Sequence, residues 1–126
     1  MAAAEWTQRQ GMDDDEFLRR CAPLANELSK EVALASRRAI ASLATVPSET
    51  ILPGNSFAED LSALPYWDSL DWLGYHFETE RQLQERVRLS SEIMDDGIRA
   101  AGGYRSLTVR DLVRATAAAA YLEQGS

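Results

Sequence analysis

In the stretch Leu24-Ala-Asn-Glu-Leu28-Ser-Lys-Glu-Val32-Ala-Leu-Ala35-Ser-Arg-Arg-Ala39-Ile-Ala-Ser-Leu43-Ala44, apolar side chains recur every three or four residues at Leu24, Leu28, Val32, Ala35, Ala39 and Leu43. That spacing puts one apolar stripe along an α-helix, so the segment reads as a long amphipathic helix with a face to bury. Strand signals, the period-2 alternation of β-branched and aromatic residues, are almost absent elsewhere in the chain. The expected fold class is therefore all-α.

Upstream of this helix, Asp13-Asp14-Asp15-Glu16 places acids where a helix N-terminus favours them, and Phe17, Leu18 and Cys21 follow before Pro23 breaks the segment. Residues 1–25 are expected to form an N-terminal extension with one short helix. Downstream, residues 45–67 carry Pro47, Pro53, Gly54 and Pro65 among short apolar clusters. They read as a long ordered loop with one helical turn near Phe57. Phe57, Leu61 and Leu112 are expected to tie that loop and the last helix into one core. Asp68 can cap a second helix running from Ser69 to about Leu89, with Asp71 in its first turn. Ser90 or Ser91 can cap a third helix that stops at Gly102-Gly103. Thr108-Val-Arg-Asp111 has the form of a capping box, and the last helix should continue from there to Tyr121. A bundle over residues 26–122 and a tail at 123–126 complete the expected organisation.

The chain has 126 residues, 13 Lys+Arg against 20 Asp+Glu, and a net charge of −7. A domain of that size buries roughly two-thirds of the surface its unfolded form exposes, so it needs no disulfide framework or structural metal to fold. Cys21 has no second cysteine to pair with, and with His76 alone beside it there is no set of soft zinc ligands. An acidic chain repels phosphate backbones, which argues against nucleic acid as principal partner and towards basic protein surfaces. Neither an export signal nor 18 consecutive apolar residues can be found, so a cytoplasmic protein with no membrane partner is expected. Charge is concentrated: residues 55–85 hold one basic and seven acidic residues, net −6.

Three elements fall into order along the chain. They are Ser56-Phe57-Ala58-Glu59-Asp60-Leu61 in the loop, Asp68-Ser69-Leu70-Asp71 opening the second helix, and Leu107-Thr108-Val109-Arg110-Asp111-Leu112-Val113 opening the last. Together, over about residues 26–120, they resemble an acyl carrier protein. The resemblance implies a four-helix bundle of that type, with a long first loop, in which Ser69 carries a covalent 4′-phosphopantetheine arm. Asp68 would help hold the Mg²⁺ that the modifying transferase brings, no resident metal being implied. The terminal thiol of the arm would hold acyl intermediates as thioesters in fatty-acid, polyketide or related biosynthesis. The implied partners are a phosphopantetheinyl transferase and acyl-transferring, adenylating or condensing enzymes with basic docking surfaces. The chain would be a monomer and no enzyme itself.

Physical chemistry supports an anionic group at Ser69 independently, because the first turn of a helix offers free N–H groups and the positive end of the macrodipole. Asp68 and Asp71 would repel that anion, which favours enzymatic attachment over spontaneous binding. On the bare residues, Asp68 as a simple N-cap and Ser69 as a simple first-turn residue remain open. Two stripes can be drawn on the second helix: Leu70, Leu73 and Phe77, or Trp72, Tyr75 or His76, Thr79, Leu83 and Val87. Periodicity does not choose between them. The resemblance puts the second stripe inside and leaves Leu70, Asp71, Leu73, Phe77 and Glu78 as the partner-recognition face.

There are departures from the family pattern. Leu64-Pro65-Tyr66-Trp67 stands where the family has a Gly before the Ser, Thr79 replaces a large aliphatic residue, and Arg81, Arg86 and Arg88 dilute the acidity. They keep a second class open, an unmodified helical adaptor that docks partners through the same face. A catalytic role for His76 is not expected, since no acid or base forms a constellation with it in sequence. Cys21 follows an acidic run, which should raise its thiol pKa and argues against a thiol enzyme.

Overall fold

The computed structural model describes residues 11–63 and 72–122; the side chains of Ala63, Trp72 and Leu73 are outside that description. Helix α1 spans Asp14–Cys21, α2 Glu27–Ala44, α3 Trp72–Gln82, α4 Ser91–Ala100 and α5 Val109–Ala119. Short 3₁₀ turns lie at Ser48–Thr50 and Leu61–Ala63 in the long loop, and at Tyr104–Ser106 before α5. Strands β1, Val87–Leu89, and β2, Ala120–Leu122, pair antiparallel with Val87 opposite Leu122. The protein is thus mostly helical, as the apolar periodicity predicts and as a helical bundle requires, with one small two-stranded sheet that the sequence does not signal. Among the described residues no helix is long and apolar enough to cross a membrane.

Local capping decides most helix ends. Asn26 accepts from the Ser29 amide at 2.9 Å, so α2 begins three residues later than the apolar stripe alone indicates. The Ser90 hydroxyl caps α4, and Gly102 and Gly103 follow its end at φ of 98° and 84°, a region closed to most side chains. Thr108 and Asp111 form the full capping box of α5, with bonds of 3.1 and 3.3 Å.

The second helix departs furthest from expectation. It ends at Gln82, not near Leu89, because Gln84 and Glu85 both take positive φ and turn the chain into β1. Val87 and Leu89 then face the interior while Arg88 between them is only half-buried, an alternation a strand satisfies and a helix does not. Pairing with β1 also stops the last helix at Ala119, short of Tyr121.

Helix α2 packs against both α3 and α5, and α4 packs on α5. A Cβ added at Gly97 of α4 would lie 2.7 Å from the Ala115 Cβ of α5, so that glycine sets how closely the two helices approach. Phe17 and Cys21 bring α1 into the same core as Val32, Ile40, Phe57, Leu61, Tyr75 and Leu112. The N-terminal helix is held there by Arg37, only 1% exposed, whose guanidinium lies 4.3 Å over the Phe17 ring. Its nitrogens donate to Asp14 Oδ1 at 3.0 Å and to the carbonyls of Met12, Glu49 and Ile51 at 2.7, 3.1 and 3.0 Å. A charge so buried is tolerable because nearly every donor finds an acceptor. Arg114 adds a second tie, donating to the carbonyl of Cys21 at 2.8 Å and to that of Ala22.

Candidate functional site

Asp68, Ser69, Leu70 and Asp71, with the approach residues 64–67, lie outside the described residues, as does the side chain of Leu73. What the structure describes is the frame on either side. Ser56 forms an isolated bridge with Thr108, and the Phe57 amide donates to the Leu107 carbonyl at 3.2 Å. The amides of Val109 and Arg110 donate to the carbonyls of Asn55 and Pro53, each at 2.9 Å. The loop and the start of α5 are therefore laced together through main-chain bonds, over buried Phe57, Leu61, Leu107 and Leu112. The helical turn expected near Phe57 forms slightly later, at Leu61–Ala63; the amides of Asp60 and Leu61 both donate to the Ser56 carbonyl at 3.0 Å.

Helix α3 presents its faces unequally. Tyr75, Thr79, Leu83 and, beyond the helix, Val87 are buried, whereas Phe77 is 61% exposed. Of the two stripes open in the sequence, the one through Tyr75 and Thr79 is the core. Thr79 fits a buried position by donating its hydroxyl to the Tyr75 carbonyl at 2.8 Å. The Tyr75 hydroxyl is bonded to Ser36 on α2 and, at 2.7 Å, to Thr116 on α5, so a chain of hydroxyls links three helices at their centre. Burial pushes the Tyr75 phenol above its ordinary range, the hydrogen bonds opposing that only in part.

Acids on α3 have distinct tasks. Glu78 is engaged along its own helix, accepting from Gln82 at 3.1 Å and lying 3.8 Å from Arg81. Glu80 points inward: its carboxylate accepts from the Leu89 amide at 3.0 Å and lies 3.4 Å from Arg88 and 3.2 Å from His76 Nε2. The reading that His76 lacks an acid at helical spacing is corrected here, since Glu80 stands one turn on. Three groups converge on one nearly buried carboxylate, and two of them, the Leu89 amide and Arg88, fasten β1 to α3. Glu80 is thus spent on the fold and is unavailable for steering partners. Arg86 pairs with Glu31 of α2, so two of the three arginines that dilute the acidity serve the fold as well.

Burial, not the acidic run before it, pushes the Cys21 thiol from 9.0 up to about 11; Arg114, Arg110 and Arg37 pull the other way. At neutral pH the group is a packed thiol with almost no thiolate character. Sequence reasoning missed Arg37, Glu80 and Asn55 as organising side chains. For Glu80 the i,i+4 spacing to His76 was the available signal, and for Asn55 the Leu52 amide three residues before it; Arg37 acts through carbonyls and an acid remote in sequence.

No family model, curated protein or solved structure matches this chain.

Proposed function

We propose that the chain is an acyl carrier, with Ser69 bearing a 4′-phosphopantetheine arm whose thiol holds acyl groups as thioesters. The observation that carries this reading is the order of three sequence elements together with the contact between the outer two. Ser56 to Leu61 and Leu107 to Val113 lie bonded to each other, and the Asp68-Ser69-Leu70-Asp71 segment falls between them in the chain. Further support comes from α3, whose buried face runs through Tyr75, Thr79 and Leu83 and leaves Phe77 exposed for a partner. In this reading Asp68 assists the transferase's Mg²⁺. Leu70, Asp71, Leu73, Phe77 and Glu78 meet basic docking surfaces on the transferase and on enzymes that load or consume the acyl group. The arm supplies the thioester chemistry; the chain's task is to anchor it and present it.

Intact mass spectrometry after incubation with a broad-specificity phosphopantetheinyl transferase, coenzyme A and Mg²⁺ tests this. Wild type gains one phosphopantetheine and Ser69→Ala gains none. No gain by a folded wild type with several such transferases overturns the carrier reading and leaves the unmodified adaptor.

A further inference from the structure

We infer that the cleft between α1, the Leu52–Asn55 turn and the start of α5 binds a small organic monocarboxylate. The cleft holds about 760 Å³, within the range of small-molecule sites, and Met12, Leu52 and Pro53 give it apolar walls. Its polar groups are unequally satisfied. Asp60 accepts from the Ser56 amide at 2.8 Å, and Arg20 is bonded through Nε to Glu16 at 2.8 Å. The α5 amides that border the cleft are consumed by the carbonyls of Asn55 and Pro53, so the helix terminus itself has nothing to offer an anion.

Besides the two η nitrogens of Arg20, which Glu16 already neutralises, two side-chain donors are left over. Asn55 is only 4% exposed, and its Oδ1 accepts from the Leu52 amide at 2.8 Å, which fixes the orientation of the side chain. Its NH₂ group has no acceptor among the described residues, an unusual state for a buried amide. The Arg110 guanidinium likewise has no partner among them, although it borders the same cleft. A fork of charged donors beside a neutral NH₂ matches the two oxygens of a carboxylate. Asp60 in the wall disfavours a dianion, so a carboxylate suits the site better than a phosphate. The apolar walls fit a short hydrocarbon body behind the carboxylate.

This site does not depend on Ser69 being modified, and the test uses the unmodified chain. Titrating the ¹⁵N-labelled protein with hexanoate should shift the Asn55 side-chain NH₂ pair saturably, while inorganic phosphate and matched sodium chloride should not. Arg110→Ala, a change at an exposed side chain, should weaken hexanoate binding about tenfold or more. Asn55→Asp keeps the acceptor for Leu52 and should abolish binding. Absence of a saturable shift in wild type, undiminished affinity in Arg110→Ala, or phosphate binding as tight as hexanoate would each overturn the inference. If Asn55→Asp fails to fold, the Arg110→Ala comparison decides.

Discussion

Replacing Tyr75 by Phe removes one oxygen from the centre of the protein and leaves the ring in place, so the loss can be assigned to hydrogen bonding. Two partners of that oxygen, Ser36 and Thr116, are not equivalent. Thr116 still donates to the Leu112 carbonyl at 2.7 Å, whereas Ser36, fully buried on α2, loses the only side-chain bond described for it. Stranding one buried hydroxyl costs about 1–3 kcal/mol. Tyr75→Phe should fall in that range, and Ser36→Ala, which leaves Tyr75 bonded to Thr116, should cost about 1 kcal/mol. In the double variant no hydroxyl is stranded at Ser36, so its loss should be smaller than the sum of the single losses by about 1 kcal/mol. Urea titration at constant temperature, with equal m-values, measures all three. Additive losses would show that Ser36 and Tyr75 are not bonded as described, and that this hydroxyl pair does not tie α2 to α3.

Phe57→Ala empties a fully buried position beneath the loop and should cost about 3–5 kcal/mol in denaturant titration; less than about 1 kcal/mol would mean the loop is not docked on α5. Gly97→Ala gains about 1 kcal/mol of helix propensity but drives two Cβ atoms to 2.7 Å, so it should destabilise the protein by calorimetry, with Ala115→Gly restoring much of the loss. The Cys21 thiol is raised from 9.0 to about 11 in the folded chain, so the folded state binds its proton more tightly. Its contribution is complete below pH 9 and falls as pH rises towards 11, by up to about 2–3 kcal/mol. Wild type should therefore lose stability across that window relative to Cys21→Ala, and parallel stability curves for the two would refute the assignment.

Features legible in the sequence were those whose bonds close within three or four residues. Ser90 capping α4, the Thr108–Asp111 box and the Gly102-Gly103 stop needed no tertiary information, because each satisfies helix-end groups locally. The α2 stripe set the helical class in the same way, through a period that only a helix converts into one buried face. The Ser69 reading rests on sequence order, while the structure describes the contact of the two flanking elements. Which stripe of α3 faces inward was undecided by periodicity, since both stripes fit the helical repeat; it took α2 and α5, supplying Ser36 and Thr116 to the Tyr75 hydroxyl, to settle it. The sheet was invisible for a related reason. Val87–Leu89 and Ala120–Leu122 are three residues each, too short to show a period, and they become strands only because each supplies the other's missing hydrogen bonds. Arg37 and Glu80 are the clearest cases: both are charged residues in helical sequence that no motif marks for burial. Only the folded chain brings the carbonyls of Met12, Glu49 and Ile51 to one, and the Leu89 amide to the other, making burial of a charge physically affordable.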